Sequence, residues 1–416
     1  MQHLYSFIIS LFNGILPVFG LFVPKLKEFR HVRENVFSTL EAAISKEDNY
    51  FWVHAASLGE YEQAVPVLEE IRTTYTNFKI LLTFFSPSGY DVKYNTPLAE
   101  VVTYLPLDTK VNVWRFLKIV KPKLAIFVKY EFWPNFLNEL RITNTHTILI
   151  SGIFRLKQPF FKFYGKWMVN SLNAFNYFFL QNTASLELLK QLGFKNAIVS
   201  GDTRFDRVSR QLSYDNSLTF IEEFKQNELL LVCGSTWQED EALLLNFVNS
   251  NPDLKILIAP HKINSEKIDK LIAAIEIPVV RYSQKDTQSL KDARVLILDT
   301  IGLLSKAYAY ASIAYVGGAA GQTGMHNILE PATFGIPILT GTRIDKFPEA
   351  LELRRLAGLY TVNNESETTS LLNRFLNDDQ FRLQTGMING HYVSSNTGAT
   401  TAIMAYLNQT LTASFK

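Results

Sequence analysis

The chain has 416 residues, of which 47% are hydrophobic and 19% are charged, a composition typical of globular proteins and a length that favours two domains over one. Its 41 basic and 39 acidic residues nearly cancel, so the bulk charge argues against a nucleic-acid-binding protein. The single cysteine, Cys233, excludes a disulfide within the chain and a cysteine-rich metal site, which suits a reducing compartment.

The N-terminal segment from Leu4 to Val23 carries no charged residue and is about long enough to cross a bilayer core. Four basic residues, between Lys25 and Arg33, follow it, which by the positive-inside rule keeps the rest of the chain cytoplasmic. The flanks do not resemble those of a cleaved signal peptide. We therefore predict a membrane anchor over residues 1–24, with a buried core helix as the alternative; whether the anchor spans the bilayer or lies in its interface stays open.

The first half of the chain then alternates apolar strand candidates with helical patterns. The strand candidates begin "NYFWVHAAS", "KILLTFF", "LAIFV", "HTILISGIF", "YFFLQN" and "NAIVSGD". The segment "GEYEQAVPVLEEIRTTY" follows the first of them and has the pattern of a helix. Continuous apolar strands separated by helices predict a parallel sheet that is covered on both faces.

The second half repeats this pattern after a polar stretch near residues 206–228 that contains no strand candidate. Its strand candidates are "ELLLVCGST", "LKILIAPHK", "RVLILDTIG", "ASIAYVGGA" and "GIPILTG", and "TGATTAIMAYLNQTL" is expected to form a terminal helix. Polar residues gather at the carboxyl ends of the predicted strands, where doubly wound sheets bind their ligands. Two such domains predict a shared cleft and a two-substrate transferase.

The densest motif is "YVGGAAGQTGMHNILEPATFGIPILTG", a strand that runs into a glycine-rich loop and a short helix. The helix is expected to start near His326 and to end before Gly335, which would place His326 and Glu330 on nearly the same helix face. Glycines and a helix N-terminus favour an anion, and a carboxylate at Glu330 suits vicinal hydroxyls such as those of a ribose. The alternative is a strand-loop-helix connection whose glycines serve packing alone.

The segments "WVHAASLGEYEQAVPVL" and "HNILEPATFGIPILTG" together resemble the 3-deoxy-D-manno-oct-2-ulosonic acid (Kdo) transferase family, which places Kdo on the lipid A precursor. The segments "VKYEFWPNFL", "GDTRFDRV", "CGSTWQEDE" and "LDTIGLL" match further family motifs in the same order, and the resemblance covers about residues 1–400. It implies the α/β GT-B fold, with two Rossmann-like domains around a central cleft. We expect an acceptor-binding domain over 25–210 and a CMP-Kdo-binding domain over 211–416, with the option that the last helix packs back on the first domain.

The resemblance also implies roles for individual residues. Glu60 would be the general base, and Arg204 and Glu131 would stabilise the transition state. The residues that would bind CMP are Pro260, His261, Ile301, Gly302, Leu303, Asn327, Ile328, Leu329 and Glu330, with Ser235 and Thr236 as candidate phosphate contacts. The alternatives are ordinary ones: a favourable charge at a helix start for Glu60, a surface ion pair between Arg204 and Asp206, a solvated helix start for Glu131, and helix capping for Ser235 and Thr236.

Two positions depart from the family pattern. The family usually has Pro-Arg-His where this chain has Pro260-His261, and often has Glu where this chain has Leu303. Lys262 is a candidate to supply the missing positive charge. The basic and aromatic stretch "RLKQPFFKFYGKW", with Lys157, Lys162 and Lys166, fits a segment near lipid headgroups or an amphipathic surface helix equally well.

The resemblance implies inverting Kdo transfer from CMP-Kdo to the lipid A precursor at the cytoplasmic side of the inner membrane. Its partners would be these two substrates and a membrane surface, with no nucleic acid. It implies no cofactor, and His54 and His326 lack the spacing of metal ligands. Another GT-B sugar-nucleotide enzyme, or a non-catalytic membrane-bound nucleotide-binding module, is the alternative. The sequence leaves open the number of Kdo residues added, the acyl preference for the acceptor and the oligomeric state.

Overall fold

The structure is a computed structural model that describes residues 1–414. It divides into two compact units. The first unit comprises residues 1–207 together with the chain from Thr397 onward, and the second comprises Val208–Asn396.

The first unit contains a parallel sheet with the strand order β3-β2-β1-β4-β5-β6-β7. Its strands are β1 (Asn49–His54), β2 (Phe78–Phe84), β3 (Val101–Tyr104), β4 (Leu124–Val128), β5 (His146–Gly152), β6 (Tyr177–Leu180) and β7 (Ala197–Val199). Its helices are α1 (Gln2–Phe19), α2 (Pro24–Glu34), α3 (Val36–Ala43), α4 (Leu58–Thr74), α5 (Pro87–Lys93), α6 (Lys110–Val120), α7 (Pro134–Ile142), α8 (Lys166–Leu172), α9 (Thr183–Gln191) and α10 (Thr203–Arg210), the last of which continues into the second unit.

The second unit contains another parallel sheet, with the strand order β10-β11-β9-β8-β12-β13-β14. Its strands are β8 (Leu230–Thr236), β9 (Lys255–Pro260), β10 (Val279–Arg281), β11 (Val295–Ile297), β12 (Ile313–Val316), β13 (Ile338–Gly341) and β14 (Leu359–Val362). Its helices are α11 (Thr219–Lys225), α12 (Gln238–Ser250), α13 (Ser265–Ala274), α14 (Leu304–Ala307), α15 (Leu329–Thr333), α16 (Pro348–Arg355), α17 (Glu365–Asn377) and α18 (Asp379–Ser395).

The central strands explain why the apolar runs of the sequence do not alternate with polar residues. In β1, Tyr50 and Trp52 pack into one hydrophobic cluster, whereas Phe51 and Val53 pack into a second cluster on the opposite face of the sheet. Both faces are therefore buried, as expected for a parallel sheet covered by helices. The predicted α/β class with two parallel sheets is confirmed.

The terminal helix α19 (Ala399–Ser414) belongs to the first unit. Its residues Ile403, Leu407 and Leu411 are buried in the same cluster as Val53 of β1. The chain therefore completes the second sheet before it returns to cover one face of the first sheet.

Helix α1 is the one helix of residues 1–414 that is long and apolar enough to cross a membrane, and only 11% of it is buried. Two polar contacts hold it to the first unit: the Tyr5 hydroxyl donates to Asp108 Oδ2 at 2.8 Å, and the Ser6 hydroxyl donates to Asn135 Oδ1 at 2.8 Å. Its apolar side chains are mostly exposed, so the alternative of a buried core helix is wrong.

Candidate functional site

Glu60 lies in the first turn of α4, immediately after the turn that follows β1. The carboxylate is only 5% exposed, and it accepts hydrogen bonds from the Ser57 hydroxyl and from Lys129 Nζ, the latter at 3.2 Å. The positive end of the helix and the Lys129 ammonium both stabilise negative charge at this position. Glu60 is thus a buried carboxylate held between two donors, which is more than a favourable charge at a helix start.

Lys129 was not identified from the sequence. It directly follows β4 and adopts a left-handed backbone conformation, with φ of 71°. Its backbone N–H donates to Ile150 O at 2.9 Å, and its carbonyl accepts from Ile153 N at 3.1 Å. These bonds to the neighbouring strand β5 and the residue after it fix an unusual conformation for a residue other than glycine, which aims the side chain at Glu60.

Glu131 contacts a buried histidine and a tryptophan. Its Oε2 accepts a hydrogen bond from Trp133 Nε1 at 3.1 Å and lies 3.5 Å from His54 Nε2. The same indole N–H lies 3.1 Å from His54 Nε2, and His54 Nδ1 lies 2.9 Å from Thr83 Oγ1. Glu131 is therefore part of a polar network at the end of β1, and the interpretation as a solvated helix start is wrong.

Arg204 is paired with Asp202 and not with Asp206. Its Nε donates to Asp202 Oδ2 at 3.0 Å, and Asp202 Oδ1 accepts from Gln63 Nε2 at 3.0 Å. Gln63 lies one helical turn after Glu60, so Arg204 is tied to the same end of α4.

Asp206 serves a different purpose, because its carboxylate accepts from the backbone N–H groups of Gly398 and Thr400 at 2.6 and 2.7 Å. The alternative of an Arg204–Asp206 surface pair is therefore wrong. Asp206 satisfies the free N–H groups at the start of the terminal helix instead.

In the second unit, the candidate nucleotide residues follow three adjacent strands, β9, β8 and β12. His261 directly follows β9, and its N–H donates to Thr236 O at 2.9 Å. The Thr236 hydroxyl donates to Glu241 Oε1 at 3.0 Å, and Ser235 has a left-handed φ of 56°. The parallel arrangement therefore brings the ends of "CGST" and "IAPH" together, as the sequence predicts.

The glycine-rich loop after β12 is anchored by Asp240, a buried residue of α12 that was not identified from the sequence. Asp240 Oδ2 accepts from Gly318 N at 2.8 Å, and Oδ1 accepts from the Tyr315 hydroxyl at 2.9 Å. A Cβ atom at Gly317 would lie 2.4 Å from Ser235 O and 2.8 Å from Thr236 Cα. Close packing against β8 therefore accounts for this glycine, whatever the loop binds.

The helix after this loop differs from the expectation. Helix α15 begins at Leu329, so His326 and Asn327 lie in the preceding loop and the predicted shared helix face of His326 and Glu330 is wrong. The loop is closed by His326 N, which donates to Gly317 O at 3.1 Å. Asn327 Nδ2 donates to Glu330 Oε1 at 3.1 Å, so the side chain of the loop residue orients the carboxylate of the helix.

An indole and two imidazoles stack beside this loop. The ring centroids of Trp237 and His261 are 4.7 Å apart, and those of His261 and His326 are 4.2 Å apart. Burial and the neighbouring His261 lower the pKa of His326 to about 4, and burial together with Lys262 lowers the pKa of His261. Trp237 is another residue that the sequence analysis did not identify.

The third candidate nucleotide segment, Ile301 to Leu303, lies beyond β11, the strand next to β9. Ile301 is 88% exposed, and Gly302 has a positive φ of 92° with open space where a Cβ would stand. The segment is therefore an exposed turn with room beside it. Among residues 1–414, no group of three or more histidine, cysteine, aspartate or glutamate side chains is arranged to hold a metal ion.

Solved structures define the class of the fold. The chain is similar to UDP-GlcNAc 2-epimerase from Neisseria meningitidis, with a TM-score of 0.61 and 14% identity over 87% of this chain and 100% of that chain. It is also similar to UDP-GlcNAc 2-epimerase from Methanocaldococcus jannaschii, with a TM-score of 0.52 and 12% identity over 83% of this chain and 98% of that chain. These likenesses show the fold alone, and the chain has the α/β GT-B fold.

Sequence comparison narrows the class. Residues 30–207 match the family model described as 3-deoxy-D-manno-octulosonic-acid transferase (kdotransferase). The 3-deoxy-D-manno-octulosonic acid transferase of Haemophilus influenzae is 27% identical over 92% of this chain and 92% of its own length. That of Aquifex aeolicus is 27% identical over 78% of this chain and 85% of its own length. The chain is a glycosyltransferase, and over most of its length it is similar to Kdo transferases.

Proposed function

We propose that this protein transfers Kdo from CMP-Kdo to the lipid A precursor in lipopolysaccharide biosynthesis, with inversion at the anomeric carbon. The observation that carries the proposal is the buried Glu60 carboxylate at the start of α4, between Ser57 and Lys129, inside the segment that matches the family model. In this proposal the first unit binds the acceptor and the second binds CMP-Kdo.

The reaction requires one proton transfer and one substitution. The acceptor hydroxyl oxygen forms a bond to the anomeric carbon of Kdo while the bond from that carbon to the phosphate oxygen breaks, and CMP leaves with the electron pair. Glu60 takes the hydroxyl proton, a contribution worth about 10²–10⁴-fold in rate for a positioned general base. The Lys129 ammonium fixes the orientation of the Glu60 carboxylate through Oε1, which leaves Oε2 and its Ser57 partner nearest the incoming hydroxyl.

Arg204 is proposed to stabilise the negative charge that develops on the leaving phosphate. Its pairing with Asp202, which Gln63 in turn holds, supports this role because it fixes the guanidinium at the end of α4 that carries Glu60. Glu131 is proposed to act by fixing the rings of His54 and Trp133 beside the acceptor, since these are its contacts.

The nucleotide is proposed to bind the second unit at Pro260 and His261, at the turn from Ile301 through Gly302 to Leu303, and at the segment from Asn327 through Ile328 and Leu329 to Glu330. Support comes from the exposed turn at Ile301 and from the Asn327–Glu330 hydrogen bond, which orients the Glu330 carboxylate. Ser235 remains a candidate phosphate contact, whereas the Thr236 hydroxyl is already used by Glu241.

We further propose that α1 attaches the first unit to the cytoplasmic face of the inner membrane. The exposed apolar surface of α1 continues into Leu21 and Phe22, which is 79% exposed. The Trp167 ring lies 5.5 Å from Tyr5 of α1, and just before it Phe163 is 89% exposed in a stretch of 3-10 helix between Lys162 and Lys166. Exposed aromatic residues next to lysines suit a lipid headgroup region, whereas the alternative, an amphipathic surface helix, is limited to the helix that begins at Lys166.

The product mass after incubation of the full chain with CMP-Kdo and the lipid A precursor tests donor, acceptor and stoichiometry together. We expect the precursor mass to increase by one or more Kdo residues. UDP-GlcNAc in place of CMP-Kdo is the control for another GT-B sugar-nucleotide enzyme. Transfer from the UDP-sugar alone would overturn the donor assignment, and binding of CMP without any product would favour the non-catalytic module.

A further inference from the structure

A hydrogen bond between an indole and an imidazole determines the proton position on His326. Trp237 Nε1 lies 3.1 Å from His326 Nε2. An indole N–H is a donor only, so His326 Nε2 must be the acceptor and carry no proton. A neutral imidazole with a bare Nε2 carries its proton on Nδ1, and that nitrogen is then a donor.

Asp240 fixes the position of Trp237 relative to His326. Its Oδ2 accepts from Trp237 N at 2.9 Å and from Gly318 N at 2.8 Å. The loop that starts at Gly318 is closed by a backbone hydrogen bond, in which His326 N donates to Gly317 O. One buried carboxylate oxygen therefore fixes both the backbone of the tryptophan and the loop that carries the histidine.

The surroundings favour neutral His326. His261 stacks against His326 with 4.2 Å between the ring centroids, and Lys262 Nζ lies 5.4 Å from the Trp237 ring. Protonation of His326 would therefore add a second positive charge near that of Lys262. Burial lowers the pKa of His326 to about 4, in the same direction. Within residues 1–414, His326 Nδ1 makes no hydrogen bond, so no protein group competes with a ligand for its proton.

We propose that Trp237 is a positioning residue that holds His326 as the Nδ1–H tautomer, and that this N–H donates a hydrogen bond to a phosphate oxygen of the nucleotide. The inference rests on the proposed function for the identity of the nucleotide, but not for the tautomer. A neutral donor suits this position because it binds the phosphate without a titratable charge beside Lys262.

The test uses the full chain labelled with ¹⁵N-histidine, with long-range ¹H–¹⁵N NMR to read the tautomer of His326. We expect a protonated Nδ1 and a bare Nε2 in the unmodified protein, and a mixture of tautomers in Trp237→Phe. CMP should bind Trp237→Phe about 5–10-fold more weakly, as for one hydrogen bond, whereas cytidine, which lacks the phosphate, should bind equally well. Trp114→Phe, which changes an exposed tryptophan of α6 in the first unit, should leave the His326 signals and CMP affinity unchanged.

A rescue experiment distinguishes a positioning role of Trp237 from a packing role. In the Trp237→Phe background, His326→Asn places an amide N–H near the position of Nδ1 and should restore CMP affinity, whereas His326→Gln should not. A protonated Nε2 in the unmodified protein, or equal losses for CMP and cytidine, would overturn the inference. If the unmodified protein bound no CMP, the proposed function would fail, and the NMR result would still decide the tautomer.

Discussion

Both units of the molecule pair a histidine with a tryptophan at the end of a strand. The two pairs differ in what the second imidazole nitrogen contacts. In the first unit, His54 Nε2 lies 3.1 Å from the Trp133 indole nitrogen, and Nδ1 lies 2.9 Å from Thr83 Oγ1. In the second unit, His326 Nε2 faces Trp237 in the same way, at 3.1 Å, but Nδ1 has no partner within residues 1–414.

This difference implies different roles for the two histidines: His54 positions other side chains, whereas His326 can contact a ligand. Both nitrogens of His54 are used inside the protein and the side chain is fully buried, so this ring can only position Glu131 and its neighbours. The His326 ring is held by one nitrogen and offers the other. We therefore expect changes in the first unit to alter the rate of the chemical step through Glu60, and changes in the second to alter nucleotide binding.

Replacement of Glu60, the proposed base, should give the largest effect. Glu60→Gln keeps the shape of the side chain and one acceptor oxygen but cannot take a proton, so kcat should fall about 10²–10⁴-fold with little change in the KM for CMP-Kdo. Initial-rate kinetics measures both constants. Glu70→Gln, near the other end of α4, is the matched control and should retain kcat. Undiminished turnover of Glu60→Gln would show that Glu60 is not the base. It would also contradict the expectation that changes in the first unit act on the chemical step.

A methyl group in the glycine-rich loop should have the next largest effect. Gly317→Ala would place Cβ 2.4 Å from Ser235 O, so the loop or β8 must shift, at a cost of about 1–3 kcal/mol or more in the free energy of unfolding. Chemical denaturation measures this cost, and CMP affinity should fall as the loop moves. An unchanged unfolding midpoint together with lost CMP affinity would indicate that the glycine makes room for the ligand and not for β8.

Asp108 in the first unit and His326 in the second should contribute to stability with opposite pH dependence. Burial raises the pKa of Asp108 to about 7, so its contribution to stability is present at low pH and is lost as pH rises through 7. The pKa of His326 is lowered to about 4, so its contribution is present above pH 6.5 and is lost as pH falls toward 4.

The variants Asp108→Asn and His326→Gln isolate these contributions, each expected to be about 1–3 kcal/mol across its window. The free energy of unfolding of each variant is compared with that of the unmodified chain at pH 4.5 and pH 7.5. The advantage of the unmodified chain over Asp108→Asn should be larger at pH 4.5, and its advantage over His326→Gln should be larger at pH 7.5. If both advantages changed in the same direction between pH 4.5 and pH 7.5, the opposite pH dependence of Asp108 and His326 would be contradicted.

The smallest effect is expected at Gly59, next to Glu60. A Cβ here would meet only Ser57 Oγ, at 3.8 Å, so Gly59→Ala should stabilise α4 by up to about 1 kcal/mol, opposite in sign to Gly317→Ala. If the open space beside Gly59 receives the acceptor, the KM for the lipid A precursor should rise while stability improves. A stabilised protein with an unchanged KM would place the acceptor elsewhere.

The central strands could be predicted from the sequence because both of their faces are buried, which leaves continuous apolar runs such as "LAIFV" of β4. Strands β3, β10 and β14 were not predicted. Each is an edge strand of only three or four residues, so its apolar run is too short to indicate a strand by itself; β7 is equally short and was predicted within the longer segment "NAIVSGD".

Glu60 and Glu330 could be chosen from the sequence because they lie in the two segments that carry the resemblance to the Kdo transferase family. Lys129, Trp237 and Asp240 lie in segments that match family motifs, but their roles could not be predicted because they depend on contacts with distant parts of the chain. Lys129 depends on a left-handed conformation held by bonds to the strand β5 and the residue after it, and Asp240 depends on contacts to a loop 78 positions away in the chain.

By itself, the sequence determined the alternation of strands and helices, the apolar N-terminal helix and the strand ends at which polar residues gather, because these follow from the local spacing of apolar residues. Only the tertiary structure decided which of those polar residues touch. Gln63 meets Asp202 across 139 positions, and Asp206 meets Thr400 across 194. Such contacts are fixed by which strands become neighbours and by where the last helix returns, and the spacing of residues within either segment carries no record of that choice.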